Sequence, residues 1–162
     1  MLVLRYVALL ALVVWVGGLV ALGAIAAPAT FDVMAARHVT EGRLLAGAVF
    51  REVLSRFFYV SCGAALVTFL SLAARRVLGP KPRHAGLRGG ILLLMTAAML
   101  YAGIVVAGRI AAVQATMTVA PSALPETDPR RIEFGRLHGL SFALQLIPLL
   151  GGLALIFWEL KE

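Results

Sequence analysis

In a chain as apolar as this one, the residues able to do chemistry are the polar ones set inside long hydrophobic runs. His138, Ser141 and Gln145 are spaced three and four apart and continue into Pro148 and Gly152. On a helix they share one face. Polar side chains turned toward lipid are costly, so this stripe is expected to look inward. An imidazole, a hydroxyl and an amide in a row could line a polar pocket, an ion path or a ligand site. They could equally hydrogen-bond between helices and lock a bundle. Arg109 stands in a different apolar run, about one membrane span from its start. Either it extends its guanidinium to the interface, or it pairs across the bundle with Glu52 or Glu133.

A second set is charged. Arg51, Glu52, Arg56 and Glu133 fall near the ends of apolar runs. Glu52 and Arg56 are one turn apart and can pair along a helix. Such a set could offer an outward-facing site for an anionic ligand or a lipid head. The plainer reading is a solvated, salt-bridged rim.

Metal and cofactor chemistry finds little footing. Cys62, Met95 and Met99 are soft donors of the kind that suits copper(I), but methionine on an apolar helix is ordinarily packing material. His38, His84 and His138 cannot converge, because His84 belongs to the loop opposite the other two. No metal and no cofactor is therefore expected. No Ser-His-Asp set, phosphate loop, HExxH or paired intramembrane carboxylates occur, which argues against an enzyme.

These residues must be positioned by helices. Of 162 residues, 61% are hydrophobic and 14% charged, against roughly 25% charged in soluble domains. A soluble domain of this composition would expose large apolar patches, whereas lipid is the natural solvent for it. Four long runs are read as membrane-crossing helices at about 2–36, 41–77, 87–119 and 129–160 of a single domain. Exposed backbone cannot sit in hydrocarbon, so each must be helical. The fold class expected is all-α, an integral membrane four-helix bundle with antiparallel neighbours. Ala24-Ile25-Ala26 resembles a signal-peptidase site, but the first run is longer than a signal peptide's apolar region and is read as a retained helix. Thr40 is placed to cap the second helix, Gly79-Pro80 to end it, and Asp128-Pro129 to open the fourth. Pro148 is expected to kink that fourth helix.

The net charge is +7, yet the basic residues cluster at the ends of apolar runs, so nucleic acid is not an expected partner. The turn between the second and third helices carries Arg75, Arg76, Lys81, Arg83 and Arg88 without an acid. Lysine and arginine excess marks cytoplasmic loops, which puts both termini on the cytoplasmic side of a plasma or bacterial inner membrane. Packing between helices in lipid favours small residues. Beside Trp15, the ridge Gly17, Ala21 and Ala24 is expected to serve the first helix in this way.

Four segments carry a resemblance: Trp15-Val16-Gly17-Gly18, Ala27-Pro28-Ala29-Thr30-Phe31, Ala46-Gly47-Ala48-Val49-Phe50-Arg51, and Phe134-Gly135-Arg136-Leu137-His138-Gly139-Leu140-Ser141. In this order they resemble the transmembrane protein 205-like family. That resemblance implies a small four-helix membrane protein without an established activity. A more distant likeness is to copper-resistance protein D and the HemJ-type protoporphyrinogen oxidases, which use helix-one histidines. Arg5-Tyr6 occupies that neighbourhood here. The function expected is a non-enzymatic binding or accessory component of the envelope, with the lipid bilayer as partner and a small-molecule ligand undetermined. The alternatives are a haem- or copper-binding redox protein and a small transporter or channel. The transporter reading brings a homo-oligomer with it.

Overall fold

A computed structural model describes residues 2–37, 42–79 and 84–161. Thr40, the expected cap of the second helix, lies outside the described residues, as do His38, Pro80, Lys81 and Arg83. Four helices are long and apolar enough to cross a membrane: α1 Leu2–Arg37, α2 Gly42–Leu78, α3 Ala85–Ala115 and α4 Pro129–Lys161. No strand occurs among the described residues. The protein is an all-α, multi-pass integral membrane protein.

The helices pack in a ring, α1 against α2 and α4, and α3 against the same two. Each buries one narrow stripe at helical spacing. On α1 it runs through Ala8, Leu12 and Trp15; on α2 through Ser61, Ala64, Ala65, Thr68, Leu72 and Arg75. On α3 it runs from Arg88 through Leu92, Met95, Met99 and Ala102 to Val106; on α4 through Pro148, Gly152, Leu155 and Glu159. The other faces carry large apolar residues in the open, such as Leu66, Leu93, Phe142 and Leu150. Lipid satisfies those faces.

Hydrophobicity alone does not join helices in lipid, so shape must. Trp15, fully buried, centres a core with Leu12, Ala64, Ala65, Leu92, Met95, Met99 and Leu155. Its indole N–H has no acceptor among the described residues. Gly152 on α4 lets Val16 of α1 approach so closely that a Cβ there would overlap it. Gly103 admits Phe58 in the same way.

The expected α1 ridge needs correction. Trp15 is buried, but Gly17, Ala21 and Ala24 are exposed, and a Cβ on Gly17 would meet nothing within 4 Å. Residues two apart lie on opposite sides of a helix, so once Trp15 takes the interior, Gly17 must face out. Gly18, against Phe57, is the glycine that permits close approach. α3 also ends at Ala115 rather than 119. There the Thr116 hydroxyl donates to the Val113 carbonyl at 2.7 Å, the local competition with helix geometry typical of threonine. α4 continues through the buried Pro148 without a break.

Candidate functional site

The two ends of the bundle are built differently. At the end bearing the chain termini, called the basic end below, the four buried stripes finish in charged residues: Arg5, Arg75, Arg88 and Glu159. The three guanidinium groups converge on one carboxylate. Arg75 Nη1 donates to both Glu159 oxygens, at 2.7 and 2.8 Å. Arg88 Nη1 donates to Oε1 at 2.9 Å, and its Nη2 to the Trp158 carbonyl at 3.3 Å. Arg5 Nε lies 3.8 Å from Oε2, and its Nη2 donates to the Glu159 carbonyl. Arg88 also lies 5.9 Å from the Trp158 ring centroid. Arg75, Arg88 and Glu159 are all buried. Beneath them is a cavity of about 20 Å³ touching Thr68, Arg75, Arg88 and Glu159, room for one water. The Thr68 proton is already committed to the Ala64 carbonyl at 2.8 Å. Breaking a buried pair by removing one partner strands the other charge in low dielectric, so this cluster fastens all four helices.

Reading Arg75 and Arg88 as charges of the connecting turn therefore needs correction. Arg75 lies in α2, Arg88 in α3, and both face the interior. A signal was present in the sequence: Ser61, Thr68 and Arg75 are seven residues apart, and Pro148, Gly152, Leu155 and Glu159 are four, three and four apart. Following the inward faces to their ends leads to the cluster.

The distal end is looser. Between α2, the end of α3 and the following loop is a cleft of about 320 Å³. Leu44, Ala48 and Arg51 form one wall, and Ala111, Gln114, Ala115, Met117, Val119 and Pro121 the other. Gln114 Nε2 points at α2, 4.0 Å from where a Cβ on Gly47 would stand. The loop wall is fixed by arginines: Arg43 Nη1 donates to Ser122 Oγ at 3.0 Å, Arg130 Nη1 to the Thr116 carbonyl at 3.1 Å, and Arg131 Nη1 to the Leu124 carbonyl at 2.6 Å. Asp128 caps α4 as expected, accepting from the Arg130 amide at 2.8 Å with Pro129 in the first helical position. The Arg130 side-chain hydrogen bond holds the Asp128 carboxyl down to about 2.

The other sequence-derived residues disperse. Arg51 lines the cleft, whereas Glu52 and Arg56 pair with each other at 2.9 Å on an exposed face. Glu133 and Arg109 are exposed, and Arg109 forms no ion pair with Glu52 or Glu133. The α4 stripe turns inward only in its second half. His138 is exposed and stacks on Phe134 with ring centroids 5.8 Å apart. Ser141 and Gln145 are half-buried, while Pro148 and Gly152 are buried. The expectation of one inward polar cluster of His138, Ser141, Gln145 and Arg109 is thus corrected: α4 meets its neighbours along the buried positions leading to Glu159, and His138 is left on the outer flank. Met95 and Met99 are core packing, with Cys62 against them. No group of three or more His, Cys, Asp or Glu side chains among the described residues could hold a metal.

No curated protein and no solved structure matches the chain. A family model does match, over residues 10–119, which takes in most of α1, all of α2 and α3, and the Arg51, Arg75 and Arg88 side chains. By that match the chain belongs to the family of the domain of unknown function DUF4149.

Proposed function

We propose that the protein is a non-enzymatic binding or accessory component of the cell envelope that receives its ligand in the distal cleft, with the basic end as its fixed base. The observation that carries this reading is the cleft itself: about 320 Å³, lined by seven apolar residues together with a guanidinium and an amide. Ligand sites are typically concave, largely apolar and marked by a few polar groups, at volumes of roughly 300–1,000 Å³. The turn joining α2 to α3 carries Arg76, Lys81 and Arg83 without an acid, which supports a cytoplasmic location for that end. The cleft then faces the outer side of a plasma or bacterial inner membrane.

A second reading, a haem- or copper-binding membrane redox protein, has one observation in its favour, on the copper side: Met95 and Met99 share a core cluster against which Cys62 packs. One preparation separates the two. Purified protein in nanodiscs should be colourless and free of stoichiometric metal, and filling the cleft by Leu44→Trp should abolish ligand-dependent thermal shifts. A Soret band, or copper at one equivalent that is lost in Met95→Leu, would overturn the binding reading in favour of redox chemistry.

A further inference from the structure

We infer that the distal cleft binds the carboxylate end of a long-chain fatty acid, with Arg51 as the group that recognises the head. The inference rests on the cleft reading above and adds the class of ligand. Arg51 lines the cleft and has no hydrogen-bond or ion-pair partner among the described residues. Arg51 is exposed, so its guanidinium is hydrated and open to an entering anion. Guanidinium is permanently charged and matches a carboxylate with two parallel hydrogen bonds. Gln114 adds an amide, able to donate or to accept, to the opposite wall.

The remaining lining residues are apolar, Leu44, Ala48, Ala111, Ala115 and Val119 among them. A wholly polar anion would gain nothing from these walls, and a neutral hydrocarbon would gain nothing from Arg51. An amphiphile with an anionic head satisfies both. The cleft lies between the distal ends of α2 and α3, two of the helices long and apolar enough to cross a membrane. Its volume of about 320 Å³ stands near the bottom of the range for small-molecule pockets. It therefore suits the head and first part of one chain rather than a two-chain phospholipid.

The test is photolabelling of the full-length protein in nanodiscs with a diazirine-bearing fatty acid, beside the matching alkyl phosphate and fatty alcohol, with labelled peptides located by mass spectrometry. The expected result is that the acid labels residues 44–51 and 111–121 in preference to lipid-facing Leu93 and Leu150. Arg51→Gln should cut that labelling about tenfold and Leu44→Trp should remove it. Arg56→Gln, outside the cleft, should keep it, and an unchanged melting temperature checks the fold of each variant. Equal labelling of the cleft by the alcohol, a preference for the phosphate, or indifference to Arg51→Gln would overturn the fatty-acid assignment and leave the cleft as a site for another ligand. Labelling no stronger in the cleft than at Leu93 and Leu150 for all three probes would overturn the cleft reading with it.

Discussion

The two ends of this bundle use arginine in opposite ways. At the basic end Arg75 and Arg88 are drawn inside and Arg5 closes over them, all three on one carboxylate, Glu159, which four helices thereby share. At the distal end Arg43, Arg130 and Arg131 reach outward to hold a loop, and Arg51 stands in a cleft with no protein partner among the described residues. The difference lies in solvent. A buried ion pair is costly to break because the partner left behind cannot be rehydrated. An exposed pair exchanges readily with water and contributes little. The same residue type therefore gives rigidity at one end and availability at the other.

That contrast can be sharpened by substitution. The largest effect is expected at Glu159→Gln, which strips the carboxylate from Arg5, Arg75 and Arg88 at once. It should lower stability by about 3–5 kcal/mol, read from unfolding in mild detergent with added denaturing detergent. A smaller loss, about 1–3 kcal/mol from overpacking, is expected for Gly152→Ala, where the new methyl would meet Val16. Gly17→Ala, with open space around it, should be neutral or stabilise by up to about 1 kcal/mol. Equal losses at Gly152 and Gly17 would refute the assignment of the α1 faces.

At the distal end Asp128→Ala should lower the melting temperature slightly and loosen the loop. Its pH dependence has a definite sign. The Asp128 carboxyl is held at about 2, below its ordinary 3.8, so the ionised form favours the folded state. That contribution is whole above about pH 4 and is lost as the pH falls from there toward 2. Melting curves of the parent and Asp128→Ala should therefore converge over that window. The smallest effect belongs to Glu52→Gln. Both partners of the exposed Glu52–Arg56 pair are more than half open to solvent, and its loss should cost about 0.3–0.5 kcal/mol.

Much of the architecture was legible in the sequence because hydrocarbon imposes simple demands. Runs long enough to span, bounded by Asp128-Pro129 and by a basic turn, leave little but antiparallel helices. Which face of each helix turns inward was harder to read. Hydrophobic periodicity is weak when lipid and core are equally apolar, so Gly17, Ala21 and Ala24 looked like a packing ridge although Trp15 claims the other side. The α4 stripe misled for a related reason: His138 is polar, but it lies near a helix end, where the interface tolerates it. Arg75 and Arg88 resembled ordinary topology-setting charges because they flank a loop. Only their register with Thr68 on α2 and Leu92 on α3 places them inside. The cleft could not be read at all, since it depends on α3 stopping at Ala115 and on where a loop of thirteen residues, 116–128, is pinned.

Glu159 couples four helices through buried ion pairs, whereas the exposed Glu52–Arg56 pair lies within one helix. A double-mutant cycle on Arg75→Gln and Glu159→Gln, measured by reversible unfolding beside the same cycle on Glu52 and Arg56, addresses it directly. A coupling of about 0.5–3 kcal/mol is expected for residues in one buried network, well above that of the exposed pair. Additive losses for Arg75 and Glu159, no different from those at the distal surface, would contradict it.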